Sequence, residues 1–338
     1  MREPAFWQPP SRWLSRLLMP LAAIYGEIAG ARMARKGIVV GIPVICVGNY
    51  HVGGAGKTPT TLALVALLRE LSETPVVLSR GYGGSLRGPV KVDVSRHQAA
   101  EVGDEPLMMA RDVPVVISRD RVAGAALARS TGAGVIVMDD GFQNPAVAKD
   151  ASIIVIDGDR GLGNGRGLPA GPMRAPLDLQ VARTDALVIV GSGRAADGVA
   201  RQVAAKGAPV FRAQLTPAED SLAALQGRRM LAFAGIGDPA RFFRTLRAAG
   251  VDVAVEQAFA DHHPYSAEDI AALVARAQRE GLTLVTTEKD MVKLRGLPDA
   301  ESIVPFAVTL AFDDDAALRM FVMERLNRAR AMKLRTSP

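Results

Sequence analysis

Cysteine and histidine are scarce in this sequence, and their scarcity narrows the kinds of site that it can form. Cys46 is the only cysteine among 338 residues, so the chain can form neither an internal disulfide nor a metal site built from several cysteines. With only four histidines, a zinc site of the usual Cys/His type is not expected either. Cys46 lies in the apolar run 42–47, where we expect a small buried thiol.

Long apolar runs are also missing. The run at residues 17–25 is far shorter than the ~20 apolar residues that a membrane-spanning helix needs. Aromatic residues make up only 5% of the chain, whereas 49% of its residues are hydrophobic and 22% are charged. These proportions are those of a folded globular protein rather than a disordered one. The length exceeds that of one typical domain, so two domains are expected.

Positive charge is in surplus, with a net charge of +6. This surplus favours anionic partners such as phosphorylated ligands, nucleic acid or an acidic membrane surface, without choosing among them. It is concentrated near the amino terminus, where residues 1–40 contain six Lys or Arg residues and two Glu residues.

The same amino-terminal segment has the periodicity of an amphipathic helix. The apolar positions at helical spacing are Leu14, Leu17, Leu18, Leu21, Ile24, Tyr25 and Ile28. Pro20 is expected to kink or divide this helix. A helix packed on its own domain and a helix lying on an anionic membrane both fit the periodicity. The basic residues, together with Trp7 and Trp13, favour the membrane.

Beyond residue 36, short apolar runs alternate with helical patterns, as in an α/β protein. Strands are predicted at 44–47, 76–78, 115–117, 135–138, 153–156 and 186–190, and helices at 58–71 and 121–130. Because these strands are short, apolar and separated by helices, they predict a parallel sheet that is covered on both faces.

A second α/β pattern begins after Gly207 and predicts a smaller domain. Strands are predicted at 211–215, 230–234, 251–256, 282–286 and 306–310, and helices at 239–249, 267–280 and 315–331. The first and last of these strands mark where the chain leaves the larger domain and returns to it, so we expect them to pair as a two-stranded connector. The predicted regions are an amphipathic helix region at 1–36, a larger α/β domain at 37–208, a smaller one with its connector strands at 209–310 and a C-terminal helix at 311–338.

The segment 44–59 has the pattern of an apolar strand, a glycine-rich turn and the start of a helix. Backbone N–H groups of such a turn and of the helix N-terminus can surround a polyphosphate. The residues predicted to bind it are Gly53, Gly54, Ala55, Gly56, Lys57, Thr58 and Pro59. Lys57 can reach the β- and γ-phosphates, and Thr58 can place its hydroxyl on Mg²⁺. The usual pattern has glycine where this chain has His51, and the neighbouring glycines supply the backbone freedom instead.

A nucleotide site of this kind also needs an acidic residue at the end of a buried strand. The predicted strand 135–138 is followed by Asp139 and Asp140, at the edge of the sheet where the phosphate-binding turn also lies. One carboxylate can hold Mg²⁺ or its water, and the other can bind or orient the metal. The string at 286–290, Thr-Thr-Glu-Lys-Asp, departs from the guanine-binding pattern Asn/Thr-Lys-x-Asp. We therefore predict a P-loop NTPase-type domain that binds ATP and Mg²⁺ and transfers a phosphoryl group.

Several unusual strings occur in a fixed order along the chain. They are Val-Gly-Asn at 47–49, Val-Gly-Gly-Ala-Gly-Lys-Thr-Pro at 52–59, Leu-Ser-Arg-Gly-Tyr-Gly-Gly at 78–84, Val-Gly-Asp-Glu-Pro at 102–106, Asp-Asp-Gly-Phe-Gln at 139–143, Leu-Pro-Ala-Gly-Pro-Met-Arg at 168–174, Phe-Ala-Asp-His at 259–262 and Thr-Thr-Glu-Lys-Asp at 286–290. Over most of its length the chain thus resembles the tetraacyldisaccharide 4′-kinase (lipid A 4′-kinase) family of Gram-negative bacteria. Members of that family commonly have His where this chain has Asn144, so that position is assigned no role.

The resemblance implies ATP-dependent phosphorylation of the 4′-hydroxyl of a lipid A disaccharide 1-phosphate precursor. It also implies peripheral (monotopic) association with the cytoplasmic face of the bacterial inner membrane, whose anionic surface would bind the amphipathic helix. Neither nucleic acid nor an obligate protein partner is expected.

The resemblance also implies roles for individual residues. Asp104 is similar to the family's catalytic carboxylate and is predicted to be the general base, while His262 is similar to the partner that orients and tunes it. Without the family, Asp104 is an ordinary loop acid and the string 261–263 is a helix-capping cluster. Lys57 is the third predicted catalytic residue.

Arginines that follow predicted strands or turns are candidates for substrate binding. Arg80 and Arg174 are predicted to bind phosphate or sugar oxygens, for which a guanidinium is suited. Either of them can instead be a surface cation. Glu288 and Lys289 belong to one of the family-like strings, but the sequence assigns them no role.

Two other functions stay open from the residues alone. One is a P-loop ATPase switch that acts on a membrane-associated partner. The other is a soluble small-molecule kinase whose first helix is packed on its own domain.

Overall fold

The computed structural model describes residues 4–8 and 13–336, apart from the side chains of residues 335 and 336. The rest of the predicted amino-terminal region, residues 1–3 and 9–12 with Arg2 and Arg12, lies outside the described residues.

The described residues form strands and helices in alternation. The strands are β1 Val44–Gly48, β2 Pro75–Ser79, β3 Val90–Lys91, β4 Val115–Ile117, β5 Val135–Asp139, β6 Ala151–Asp157, β7 Ala186–Val190, β8 Val210–Pro217, β9 Arg229–Ala234, β10 Asp252–Ala258, β11 Thr283–Thr287, β12 Val304–Phe306 and β13 Val308–Phe312. The helices are α1 Trp13–Leu17, α2 Met19–Met33, α3 Lys57–Glu70, α4 Ala99–Val102, α5 Asp104–Met109, α6 Arg121–Ser130, α7 Leu177–Ala182, α8 Asp197–Ala205, α9 Glu219–Leu225, α10 Pro239–Ala248, α11 Ala267–Glu280, α12 Glu288–Met291 and α13 Asp315–Thr336. Short 3₁₀ turns lie at Ala5–Trp7 and Ala300–Ser302.

The larger sheet has nine strands in the order β13-β8-β7-β6-β1-β5-β2-β4-β3. Its pairs are parallel except at the two edges, where β13 is antiparallel to β8 and β3 is antiparallel to β4. Strands β1, β5, β6 and β7 are buried along their whole length, because α3 and α13 cover one face of the sheet and α6 and α8 cover the other. The predicted α/β fold with a P-loop-type parallel sheet is confirmed, and every strand predicted between residues 44 and 190 is present.

The smaller sheet is entirely parallel, in the order β10-β9-β11-β12. Helix α11 covers one face through Ile270 and Leu273, and α10 covers the other through Phe242 and Leu246. Helix α11 spans the predicted 267–280 because Ser266 starts it with a capping box and Gly281, in a left-handed conformation, ends it.

The predicted strand 306–310 is divided between the two sheets. Phe306 packs in the core of the smaller sheet as the end of β12, whereas Leu310 packs in the core of the larger sheet within β13. Strands β8 and β13 do pair, with Val308 opposite Pro217, as predicted for the connector. Because β8 also pairs with β7, the two strands form an edge of the larger sheet rather than a separate ribbon. The limits of the four predicted regions stay a prediction.

The amino-terminal helix is divided at Leu18, next to Pro20. Its two glycines face the protein, since a Cβ added at Gly26 would lie 3.6 Å from Pro176 and one added at Gly30 would lie 3.4 Å from Leu179. Most of its large apolar residues are exposed, whereas Met33 is buried and Leu14 and Leu18 are half-buried. This amino-terminal apolar face consists of Trp13, Leu17, Met19, Leu21, Ile24, Tyr25 and Ile28. The described part of the chain thus leaves uncovered the face that a helix packed on its own domain would bury.

Within residues 4–8 and 13–336, no helix combines the length and the apolarity that spanning a membrane requires.

Candidate active site

The predicted phosphate-binding loop joins β1 to α3 at the carboxyl edge of the larger sheet. Gly56 has a φ of 88° and immediately precedes α3, so the turn needs a residue that tolerates the left-handed region. The Nδ2 of Asn49 donates to the carbonyl of Gly53 at 3.2 Å, and the Thr60 hydroxyl donates to the carbonyl of Gly56 at 2.8 Å. Lys57 and Thr58 therefore open a helix whose first N–H groups are oriented to bind an anion.

His51, where the usual loop pattern has glycine, is fully buried beneath this loop. Its Nδ1 lies 3.0 Å from the carbonyl of Val52, and its backbone forms a bridge with Met173. Burial, reinforced by the charge of Arg160, lowers the pKa of His51 to about 4. The imidazole is thus neutral at physiological pH, and the backbone bridge to Met173 joins the loop to the segment that carries Arg174.

Asp139 ends β5 and is almost completely buried. Its Oδ2 accepts a hydrogen bond from the Ser79 hydroxyl at 3.1 Å, while none of the described residues bonds its buried Oδ1. Burial, reinforced by the charges of Glu105 and Asp140, raises the pKa of Asp139 to about 7. A buried carboxylate oxygen without a partner is suited to a cation.

Asp140 lies beside Asp139 but has different partners. Its two oxygens accept hydrogen bonds from Arg174 at 2.7 and 3.2 Å, and Lys57 Nζ lies 3.8 Å away. Burial alone would raise the pKa of Asp140, but Lys57 and Arg174 outweigh it and lower that pKa to about 2. The structure therefore brings a predicted phosphate-binding residue, Lys57, and a predicted substrate-binding residue, Arg174, to the carboxylate of a predicted metal ligand, Asp140.

The described residues contain no group of three or more His, Cys, Asp and Glu side chains placed to hold a metal ion among themselves. Mg²⁺ commonly binds through one or two carboxylates together with substrate phosphates, rather than in a cage made by the protein alone. The set of Thr58, Asp139 and Asp140 matches that mode in its chemistry.

The structure brings together Asp104, on α5 beside the larger sheet, and His262, which follows β10 of the smaller sheet. Asp104 begins α5 and is only 5% exposed. Its Oδ2 lies 2.9 Å from His262 Nδ1, and its Oδ1 accepts a hydrogen bond from the N–H of Glu105 at 3.0 Å. The His262 ring also packs against the ring of Tyr82 at 5.6 Å. Burial raises the pKa of Asp104, but the hydrogen bond from His262 and the charge of Lys289 outweigh it and hold the pKa below its usual range.

Three arginines near the site have surroundings that the sequence does not indicate. Arg80 follows β2 and is exposed, whereas Arg121 is buried and its Nη2 donates to the Asp139 carbonyl at 3.3 Å. Sequence reasoning also missed an ion pair between Arg241 of α10 and Asp157 at the end of β6. No local pattern signals such a pair, because Asp157 ends a strand of the larger sheet and Arg241 lies on a helix that covers the smaller one.

Replacing Gly103 by alanine is expected to destabilise the fold and to displace Asp104. Gly103 has a φ of 92°, and a Cβ added there would lie 2.5 Å from the carbonyl oxygen of Tyr82. Strain of this kind costs about 1–3 kcal/mol, so thermal unfolding should show a lower midpoint. Gly198→Ala is the matched control, because it lies in α8 with nothing within 4 Å of the added Cβ. An unchanged midpoint for Gly103→Ala would contradict the expectation.

A glycine-rich loop between β1 and α3, aspartates at the end of the neighbouring strand β5 and a parallel sheet covered on both faces define a P-loop nucleotide-binding protein of the α/β class. The family model described as Tetraacyldisaccharide-1-P 4′-kinase matches residues 14–327. The chain belongs to this family.

Individual relatives are similar over nearly the whole chain. A tetraacyldisaccharide 4′-kinase of Rhodopseudomonas palustris is 67% identical over 336 residues, which cover 99% of each protein. One of Nitrobacter winogradskyi is 65% identical over 336 residues, which cover 98% of this chain and 100% of that protein. The crystal structure of the "apo" form of LpxK from Aquifex aeolicus in complex with ATP is similar with a TM-score of 0.71 and 28% identity, over 93% of this chain and 99% of that one.

Proposed function

We propose that this chain transfers the γ-phosphoryl group of ATP to the 4′-hydroxyl of a tetraacyl disaccharide 1-phosphate in lipid A biosynthesis. Membership of a family of 4′-kinases over residues 14–327 supports the reaction. The observation from the structure that carries the proposal is the 2.9 Å contact between Asp104 and His262. It provides a proton acceptor for a hydroxyl substrate, which a P-loop ATPase switch does not need.

ATP is proposed to bind at the loop from Gly53 to Pro59. Backbone N–H groups at the start of α3 would face its phosphates, and Lys57 would leave its 3.8 Å contact with Asp140 for the β- and γ-phosphates. Arg174 would keep Asp140 neutralised during this exchange, since it already donates to both of its oxygens.

Mg²⁺ is proposed to bind at Asp139, Asp140 and the Thr58 hydroxyl. The buried Oδ1 of Asp139, which none of the described residues bonds, is the observation that fits a cation here. When bound, the ion would neutralise charge on the β- and γ-phosphates and so favour phosphoryl transfer.

The transfer step requires an attacking oxygen, a leaving oxygen and a proton acceptor. The 4′-hydroxyl oxygen attacks the γ-phosphorus, so that a new O–P bond forms while the bond to the β–γ bridging oxygen breaks and ADP leaves with that electron pair. The hydroxyl proton passes to the carboxylate of Asp104, which His262 orients through its hydrogen bond. Arg80 and Arg174 are proposed to hold phosphate or sugar oxygens of the acceptor, Arg174 through the N–H groups that it does not use for Asp140.

Transfer of radiolabelled γ-phosphate to the acylated disaccharide 1-phosphate tests this function. We expect label in the lipid, dependent on added Mg²⁺ and on the acceptor. Release of inorganic phosphate without label in the lipid would refute the kinase and favour the ATPase switch. Transfer to water-soluble sugars only would favour the soluble small-molecule kinase.

We also propose that the protein binds the cytoplasmic face of the bacterial inner membrane as a peripheral protein, through its amino-terminal apolar face. Exposed large side chains such as Trp13 at 75% and Ile28 at 66% support this, because a contiguous apolar surface of that kind usually contacts a partner or a membrane. A substrate whose acyl chains stay in the bilayer requires an enzyme at its surface. The regions 1–36, 37–208, 209–310 and 311–338 are proposed as the functional units.

Replacing Leu21, Ile24 and Ile28 together by serine should release the protein from vesicles that contain anionic lipid. Each side chain contributes about 1–2 kcal/mol when buried in an apolar phase, so vesicle affinity should fall about 100-fold or more. Co-sedimentation with vesicles measures it. The matched control is Met320→Ser with Met323→Ser, since these methionines of α13 are also exposed. A triple variant that sediments like the control would contradict the proposed membrane contact.

A further inference from the structure

The string Thr-Thr-Glu-Lys-Asp at 286–290 has no role in the function proposed above, yet the structure places Lys289 against Asp104 and links Asp290 to His262 through Gly235. We propose that Lys289 is a positioning residue for phosphoryl transfer, which holds the Asp104 carboxylate in place and ionised from the smaller sheet. This inference rests on the proposed function, because it assigns Lys289 an effect that acts through the general base.

Lys289 lies on α12, beside the smaller sheet, and contacts the first two residues of α5, Asp104 and Glu105. Its Nζ lies 2.9 Å from Glu105 Oε1 and 3.7 Å from Asp104 Oδ2. Burial lowers the pKa of Lys289, but the carboxylates of Glu105 and Asp104 outweigh it and raise that pKa above its usual range. Lys289 is therefore a cation at neutral pH, and an ammonium can donate to more than one carboxylate at once.

The groups around Asp104 come from several elements. Those nearest to its carboxylate either carry a positive charge or form a hydrogen bond with it. His262 and Lys289 both face its Oδ2, and Lys293 adds a more distant positive charge. Glu105 lies on the same helix but is itself paired with Lys289. An opposite charge at this distance favours the ionised carboxylate, and an ionised carboxylate is what a general base must be.

The same string also fixes the turn that presents His262. Asp290 is fully buried, and its Oδ2 accepts hydrogen bonds from the N–H of Gly235 at 2.9 Å and from the Thr287 hydroxyl at 2.8 Å. The carbonyl of Gly235 in turn accepts from the backbone N–H of His262 at 3.1 Å and from Lys293 Nζ at 3.1 Å. One short segment thus contacts the carboxylate directly and, through Gly235, holds the backbone of the turn that carries His262.

A simple tether between the two sheets is the alternative role for Lys289, and the chain provides a control for it. Arg295 also extends from the smaller unit and donates to the carbonyl of Val94 in the larger one. Arg295 is exposed, and its hydrogen-bond partner there is a backbone carbonyl rather than Asp104 or Glu105. Arg295→Gln therefore removes a contact between the units without touching the base.

The test measures kcat and KM for ATP and for the acylated acceptor in Lys289→Gln, Lys289→Arg and Arg295→Gln. For Lys289→Gln we expect kcat to fall about tenfold or more, as a fraction of the effect of a general base, with both KM values within about twofold of the wild type. Lys289→Arg should recover most of the rate, because it restores the charge. Arg295→Gln should keep the wild-type kcat. A loss in Arg295→Gln equal to that in Lys289→Gln would show a tether and overturn the inference.

A double-mutant cycle with Asp104→Asn provides the second readout. If Lys289 acts through Asp104, adding Lys289→Gln to Asp104→Asn should change kcat by less than about twofold. A full additional loss would overturn the inference. If thermal unfolding shows that Lys289→Gln is not folded, Lys289→Met takes its place, because it keeps the aliphatic stem of the side chain. Wild-type protein that transfers no label would refute the proposed function itself, whereas active wild type with an unaffected Lys289→Gln refutes only the positioning role.

Discussion

Asp104→Asn is expected to lower kcat for phosphoryl transfer by about 10²–10⁴-fold, the usual contribution of a general base. Asparagine keeps the shape of the side chain but cannot take the proton of the attacking hydroxyl. ATP binding should be unchanged, because the phosphate-binding loop belongs to a different segment, between β1 and α3. Single-turnover transfer of radiolabelled phosphate and equilibrium binding of ATP measure the two effects separately.

A matched control for this substitution is Asp112→Asn. Asp112 lies just beyond the end of α5 and is exposed, so it shares the charge and the neighbourhood of Asp104 without its burial. Its variant should transfer phosphate at the wild-type rate. If Asp104→Asn kept more than a tenth of the wild-type kcat, Asp104 would not be the base, and the proton would have to leave by another route.

Lys57→Met should weaken ATP binding and lower kcat together, with a combined loss in kcat/KM of about 10²–10³-fold. A fixed cation aimed at the charge that develops during transfer typically contributes an effect of this size. The fold should be nearly unaffected, because the pair that Lys57 forms with Asp140 spans 3.8 Å and Arg174 stays bound to the same carboxylate. Pairs of this kind contribute about 1 kcal/mol or less when partly exposed.

Exposed Lys91 of β3 provides the control, since Lys91→Met removes the same charge at a distance from the loop. Kinetic constants and thermal unfolding of both variants complete the comparison. Should Lys57→Met bind ATP as tightly as the wild type, the loop would not use this lysine for the phosphates.

The larger sheet was predictable because its strands carry a strong local signal. Runs such as 135–138 are apolar throughout, and the structure buries them between two layers of helices. The strand predicted at 306–310 is divided between β12 and β13, because apolar content cannot show which of two cores a residue enters. Phe306 and Leu310 are both large apolar residues, but Phe306 packs in the core of the smaller sheet and Leu310 in that of the larger one.

The sequence predicts which residues belong to the candidate site better than it predicts the contacts between them. The loop and Asp139 follow from the order of strand, turn and helix, whereas Asp104 and His262 needed the resemblance to a family. No sequence pattern indicated that Arg174 would bind both oxygens of Asp140, or that Lys289 would lie against Asp104. Contacts between side chains on separate elements depend on packing, which local propensity does not encode.

The pairing of β8 with β13 has a topological consequence. Pro217 and Val308 are opposite each other in an antiparallel ladder, so the whole smaller sheet is an insertion into a single hairpin at the edge of the larger one. A tight turn is all that an antiparallel pair needs to close. The chain that supplies His262 and Lys289 thus enters and leaves the nucleotide-binding fold at one point, and none of the other strands of the larger sheet is interrupted by it.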